Sequence, residues 1–582
     1  MQKAPPSEGT ARGLRFHRTS AREAAMLMVL AVGVGLAGGV LAVALNTSVH
    51  GATQWLAQFH GRWWLIPVPA VGAALSAVFL RNLLRDEGGH GVPEMIRAAT
   101  LRGGALSSRL IYSRLISSFL TVASGGSAGL EGPIATSGGA LGSTVGRLFR
   151  FNERWRTLLL AYGVAGAIAA IFNAPLTGTV FALEVILGEW SALSILPTVA
   201  AAVSATQFSR VVLGNQIAFT HGVFAFGTVD LIACVALGMA AGLISVGFAR
   251  SLTWSETQFA RIPWPAWSKA ALGGLMVGAA AFAMPDTLPS VLHDGYGAIQ
   301  AFLSEGSDLL LVWVAVFVAV KFAACCLTLG SGGSGGVFAP SLVLGSATGF
   351  GFGQLVRAVL PGAVLASPSA YALVGMAGMV AGVMHAPLTG MFLVLEVTGG
   401  YSLILPLMIA SVLAMLVSYY FDVGSVYTRE LILGGALARR GSDLHLLQSM
   451  QSRELMDADP TVIHEDMLLG EFIELFKRAR RNLFPVVERE TGRWLGVVQL
   501  DEIRPYLFDQ SLYPIMTMSE VMQTDLPTID AAESAYSAIQ KFEASGAWSL
   551  PVIEEGRFLG MMSKSTLFDR YRRELIVHTE EI

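Results

Sequence analysis

Between about Ala24 and Tyr420 the chain is written in long apolar runs, and after about Arg429 it changes to amphipathic segments and short β runs. The runs include AAMLMVLAVGVGLAGGVLAVAL (24–45), DLIACVALGMAAGLISVGFA (230–249) and LLLVWVAVFVAVKFAACCLTL (309–329). Each approaches or exceeds the roughly 20 residues that a helix needs to cross a bilayer. There are on the order of ten such stretches, several too short or too broken by glycine to span simply. The pattern predicts an all-α polytopic membrane domain with interrupted helices. In the tail, two blocks (460–503 and 526–568) each read as an amphipathic helix, a short β run, a glycine turn and a second β run. The β runs are FPVV and LGVV, then LPVI and LGMM; that order predicts a small α+β unit with paired strands in each block.

The apolar part repeats itself. SGGSAGLEGP (124–133) returns as SGGSGGVFAP (331–340), 207 residues later, and NAPLTG (173–178) returns as HAPLTG (385–390), 212 residues later. In both halves the second phrase leads to Leu-Glu-Val, at Glu184 and Glu396. Internal repeats of this size in a membrane protein predict two structural halves with the functional site between them.

The repeated phrase has a physical meaning. Hydrocarbon cannot satisfy backbone N–H and C=O groups, so a glycine-rich break is tolerated only where protein or water lines it. Pro133 and Pro340 suit the first turn of a following helix. A helix that starts there turns its free N–H groups and positive dipole end toward the break, which makes an anion site. GGHGVP (88–93) is a third break of the same kind, ending at Pro93. One acid stands among these phrases, Glu131. A carboxylate at membrane depth is costly and is a functional candidate by default. Its expected role is a gate: it fills an anion position when ionised and leaves it when protonated. The plainer role is a helix N-cap. Glu184 and Glu396 are read as structural acids that satisfy amides at helix ends.

Composition agrees with the pattern: 53% of residues are hydrophobic, 14% are charged and mean hydropathy is +0.57. Soluble domains carry about a quarter charged residues. Lys3, Arg12, Arg15, Arg18 and Arg22 precede the first run against Glu8 and Glu23, which places that end in the cytoplasm. The run itself is too long for the core of a signal peptide. Cys234, Cys325 and Cys326 lie in apolar runs, so neither disulfides nor a metal site is expected.

These residues resemble the CLC family of chloride channels and chloride–proton antiporters. Gly89-His90-Gly91-Val92-Pro93 is similar to the family's G-S-G-I-P, Gly129-Leu130-Glu131-Gly132-Pro133 to G-R-E-G-P, and Gly336-Val337-Phe338-Ala339-Pro340 to G-x-F-x-P. Tyr427, in GSVYTREL, stands where the family has its ion-coordinating tyrosine. The resemblance implies a homodimer with one anion pathway per subunit, built from two inverted halves. It implies a central chloride held by the Val337 and Phe338 amides and the Tyr427 hydroxyl. An outer chloride would be held near Leu130, Gly132 and Ala339, with Glu131 competing for that place.

Two departures bear on selectivity. His90 replaces the family's serine and Leu130 its arginine. A neutral imidazole would donate one N–H to the ion, and a protonated one would bind more tightly and bring pH sensitivity. Alternatively, His90 points away. A third departure bears on mechanism. Val185 occupies the position of the antiporters' inner proton-relay glutamate, which favours passive flow, although Glu189 follows one helical turn later.

The tail resembles a CBS-domain pair. Nucleotide binding there has little support, because Ser563 is followed by Thr566 instead of the usual acid and Gln499 holds the first block's hydroxyl position. The expected organisation is a basic cytoplasmic N-terminus (1–23), a transport domain (24–428, with halves 24–210 and 226–428), a linker (429–455), CBS blocks at 456–507 and 519–573, and a tail (574–582). The expected function is passive chloride conduction gated by Glu131, with chloride–proton antiport as the alternative. A receptor or enzyme with a CBS output module is a distant third, since no catalytic constellation is present. The expected setting is a bacterial-type inner membrane with both termini cytoplasmic, chloride as the transported ion, no cofactor and no nucleic acid.

Overall fold

The computed structural model describes residues 9–59, 63, 66–84, 91–215, 219, 226–304, 309–361, 364–399, 401–433, 447, 450–457, 460–479 and 482–580. They form two compact units, Met1–Ala436 and Leu437–Ile582. The first is helical: α1 (Gly9–Ala57), α2 (Pro67–Ala77), α3 (Val92–Leu101), α4 (Leu110–Ala123), α5 (Glu131–Leu148), α6 (Glu153–Phe172), α7 (Pro175–Phe181) and α8 (Ala192–Leu213). Then follow α9 (Thr228–Arg261), α10 (Ala266–Ala283), α11 (Tyr296–Leu303), α12 (Leu311–Gly330), α13 (Phe338–Val359), α14 (Pro368–Met384), α15 (Pro387–Thr398), α16 (Ile404–Phe421) and α17 (Arg429–Leu433). Among the described residues eight helices are long and apolar enough to cross a membrane, and five more are apolar but shorter. The protein is a multi-pass membrane protein.

The second repeated phrase is a helix stop followed at once by a helix start. α6 and α14 both end on a left-handed residue, Asn173 (φ 57°) and His385 (φ 54°). An extended alanine comes next, and Pro175 and Pro387 open α7 and α15. Proline is suited to that place because its missing N–H would find no partner in the first turn. The remaining first-turn amides are satisfied from the opposite half. Glu396 accepts the Leu176 amide (2.8 Å), the Thr177 amide (2.6 Å) and the Thr177 hydroxyl (2.7 Å). Glu184 does the same for Leu388 (3.1 Å), the Thr389 amide (2.8 Å) and the Thr389 hydroxyl (2.7 Å). Both acids are therefore structural, as their repetition suggested, but each caps the other half's helix.

That exchange is the mark of a two-fold relation, in which residue i of one half meets j of the other and j meets i. The same reciprocity holds where the first phrase meets its copy. The Ser127 amide donates to the Thr328 hydroxyl (3.0 Å) and the Ser334 amide to the Thr121 hydroxyl (3.1 Å). Gly129 and Gly336 exchange amide and carbonyl, at 2.8 and 2.7 Å. The two halves are thus related by an axis that passes between Gly129 and Gly336.

Glycine sets the close packing within each half. A methyl group on Gly138 would lie 2.3 Å from the Gly163 carbonyl oxygen, and one on Gly345 would lie 2.5 Å from that of Gly375. The contacts join α5 to α6 and α13 to α14, at the same offsets as the phrases (345 − 138 = 207; 375 − 163 = 212). Small residues let membrane helices approach this closely, where the hydrophobic effect gives no drive toward association.

Replacing Glu396 by alanine leaves three donors of α7 without their charged acceptor. Hydrogen bonds to charged groups contribute about 1.5–3 kcal/mol each, and water recovers part of that at the exposed Leu176, so a net loss of about 3 kcal/mol is expected. A thermal melt in detergent checks this: the Glu396→Ala midpoint falls below wild type, and Glu184→Ala falls by a similar amount.

The second unit contains two three-stranded sheets. In the first, β1 (Ile463–His464) runs parallel to β2 (Leu483–Val487), which pairs antiparallel with β3 (Trp494–Gln499). In the second, β4 (Ile529–Asp530), β5 (Ser549–Glu554) and β6 (Arg557–Ser563) repeat the order. Phe484 faces Val498 and Leu550 faces Met562, so the strand pairs are those the sequence predicts. The parallel edge strands β1 and β4 have two residues each, too few to show a period.

The cores depart from chain order. Met450 and Leu455, placed in the linker by sequence, complete the core of the second block, while Met518 is buried in the first. Backbone bonds fix the exchange: Asp457 pairs with Met561, and Val497 with Gln523. The Trp494 and Phe558 rings stack at 5.6 Å. The two polar positions considered for a ribose are turned to neighbours, Ser563 to Thr566 (2.8 Å) and Gln499 to Gln523 (2.8 Å).

Candidate functional site

The site is built where the first phrase meets its copy. After α4 and α12 the chain turns at Gly125 (φ 111°) and Gly332 (φ 103°), a conformation that costs glycine no side-chain clash. The next amides, of Gly126 and Gly333, return to the carbonyls of Thr121 (2.9 Å) and Thr328 (3.0 Å). The Gly129–Gly336 pair then brings the starts of α5 and α13 together on the two-fold axis. Leu130, Gly132, Val337, Phe338 and Ala339 are all buried there. First-turn amides have no acceptor within their own helix, and two positive helix ends converge.

The backbone is two-fold at this point and the side chains are not. The mate of Glu131 is Phe338 (338 − 131 = 207), whose ring packs against Phe172 (5.2 Å) and Phe181 (6.0 Å). Glu131, 1% exposed, reaches across the axis, where its Oε2 accepts the Ala339 amide (3.3 Å). Its Oε1 accepts the Tyr296 hydroxyl. The carboxylate therefore engages the opposite half's helix start, which goes beyond capping α5. Gly129 makes room for it, since a methyl group there would lie 2.1 Å from Oε2.

Gly91 and Pro93 of the third break and Tyr427 line one cavity of about 330 Å³, together with Glu94, Thr253, Glu256, Arg429 and Glu430. Tyr427 is 2% exposed and sits in a turn that is pinned by Val426 N–H to the Val383 carbonyl (3.1 Å). Gly91 stands at φ 78° before α3. His90 lies outside the described residues. Val185 is half-buried in a π-helical turn, Ala182–Leu187, that continues α7. That turn stops at the left-handed Gly188, so Glu189 is an exposed loop residue and not a further helical position.

Two polar residues escaped the sequence reading. Tyr296 sits in the second half, outside the repeated phrases, on an eight-residue helix, and its only local sign is the turn-like HDGYG. Lys321 is fully buried in α12 and was legible as the one charge in the run 309–329.

Comparison with known proteins gives a consistent answer. Residues 71–419 match the family model described as voltage gated chloride channel, and residues 453–509 and 518–573 match the CBS domain. A protein of Ralstonia nicotianae named "Putative chloride channel protein ClcB-like" is 31% identical, over 70% of this chain and 96% of that one. The H(+)/Cl(-) exchange transporter ClcA of Vibrio campbellii is 29% identical, over 70% of this chain and 88% of that one. Among solved structures, a slow cyanobacterial Cl-/H+ antiporter superposes with a TM-score of 0.63 at 26% identity, covering 72% of this chain and 99% of that one.

Proposed function

Because the chain belongs to the CLC family of voltage-gated chloride channels and transports chloride, we propose that it works as a chloride–proton exchanger with Glu131 as the moving group. The observation that carries this is the reach of the Glu131 carboxylate across the axis to the Ala339 amide. An ionised carboxylate and a chloride compete there for the same donors. Protonation removes the charge, frees the position for the anion and loads one proton onto the carrier. The exchanger relatives of Vibrio campbellii and the cyanobacterium support coupling over the passive flow that Val185 suggested.

In this reading the central chloride is held by the Val337 and Phe338 amides and the Tyr427 hydroxyl, with His90 beside it. The outer chloride takes amides near Leu130, Gly132 and Ala339. Amide and phenol donors hold an anion without the deep trap of a full positive charge, and conduction needs release as much as binding. Valine cannot carry a proton, so the inner proton travels through water in the Tyr427 cavity, where Glu94, Glu256 and Glu430 lie. The active form is a homodimer with a pathway in each subunit, set in a bacterial-type inner membrane with both termini cytoplasmic. The CBS pair supports packing and gating; the acid that would hold a ribose is absent at Thr566.

Reconstitution tests the reading. Liposomes loaded with chloride and diluted into low chloride are followed for chloride efflux and external pH together. Proton uptake driven by the chloride gradient is the expected result. Chloride efflux with no proton movement would replace exchange by passive conduction.

A further inference from the structure

The Glu131 carboxylate has a second partner, from outside the repeated phrases. Tyr296 opens α11, and its hydroxyl donates to Oε1 while Ala339 holds Oε2. Its ring stands edge-on to Phe219, with centroids 5.8 Å apart. The turn that delivers it is held from several sides. Gly295 precedes it at φ 85°, where a methyl group would lie 2.8 Å from Val343. The Tyr296 amide donates to Asp294 Oδ1 (3.3 Å), and His293 Nδ1 bonds the Val122 carbonyl (2.8 Å). Lys321 donates from α12 to the carbonyls of Val291 (3.0 Å) and His293 (3.1 Å). A buried ammonium in a membrane helix is retained against a large cost, and here it ties down the segment that aims the tyrosine.

We propose that Tyr296 is the latch of the Glu131 gate, a positioning residue whose hydroxyl holds the carboxylate across the anion path. A phenol O–H donates to an ionised carboxylate about twice as strongly as to a neutral group. The latch therefore grips the ionised gate and loosens when the gate takes up its proton. Lys321 fixes the turn and touches neither the gate nor the path in this assignment. The proposal rests on Glu131 being the moving group.

The test uses the full-length protein in liposomes, with chloride efflux and proton uptake read together in wild type, Tyr296→Phe, Glu131→Ala and the double variant. Phenylalanine keeps the ring and its contact with Phe219 and removes only the hydroxyl. One bond to a charged group corresponds to about tenfold in occupancy, so chloride moved per proton rises severalfold, up to about tenfold, in Tyr296→Phe. In the Glu131→Ala background the same substitution changes chloride efflux by less than about twofold, because the group it held is gone. A Tyr296→Phe protein with wild-type stoichiometry overturns the latch, and so does an equal effect in both backgrounds. If Glu131→Ala itself keeps full coupling, the gate assignment fails first; if it uncouples and Tyr296→Phe is silent, only the latch fails.

Discussion

In Glu131→Ala, chloride leaves liposomes while proton uptake falls to the level of protein-free vesicles. Alanine removes the titratable group that reaches across the axis, and the mate position, Phe338, carries no proton. The donors remain. The Ala339 amide loses its acceptor, and a chloride entering that place restores it. Chloride flux is therefore expected to stay within about tenfold of wild type, the worth of one bond to a charged group. Glu131→Gln separates charge from shape. Glutamine cannot ionise, so coupling is lost as completely, and like the protonated gate it leaves the anion position, so chloride efflux is close to that of the alanine variant. Simultaneous recording of chloride and pH checks both. Proton uptake that persists in either variant would move the carrier role elsewhere.

Gly345→Ala and Gly138→Ala destabilise the fold by up to about 3 kcal/mol. The added methyl of Gly345→Ala lies 2.5 Å from the Gly375 oxygen and 2.8 Å from Met376 Cα, all backbone of the facing helix. No rotamer change relieves it, so α13 and α14 must separate along their length. Overpacking a tight contact costs about 1–3 kcal/mol, and backbone against backbone belongs at the upper end. The total stability of a folded domain is of order 5–15 kcal/mol. Because α13 also carries Phe338 and Ala339, loss of the contact also displaces the anion donors. The measurement is the yield of monodisperse protein in detergent and its melting midpoint. Gly247→Ala is the control: nothing lies within 4 Å of its added methyl, so it is expected to be neutral or to stabilise α9 by up to about 1 kcal/mol. If Gly345→Ala melts like that control, the close approach is not what joins the two helices.

Much of this protein is legible in its sequence because the constraints are local. Apolar runs require helices in a membrane, since each helix satisfies its own backbone. A glycine-rich phrase inside such runs requires a lined break, and its recurrence 207 residues later announces two halves. Glu131 stands out as the acid among those phrases, and Glu184 and Glu396 as a repeated pair, because charge in such surroundings is costly. The strand pairs of the CBS blocks follow from two short β runs joined by a glycine turn in each block.

What tertiary structure alone decided are relations between distant segments. Glu184 and Glu396 each cap the other half's helix, 204 to 220 residues away, and no periodicity carries partner identity over that span. The reach of Glu131 to Ala339 depends on the Gly129–Gly336 pair, which exists only once both halves have folded against each other. Tyr296 sits on a short helix 165 residues from its partner Glu131, so no local pattern could point to it. Glu189 shows the converse: a helical period predicted one more turn, and the left-handed Gly188 ended it, because a residue without a side chain can leave the helix there without a clash. Met450 and Met518 joined the cores of blocks they do not belong to in sequence, since burial rewards whichever apolar surface is nearest in space.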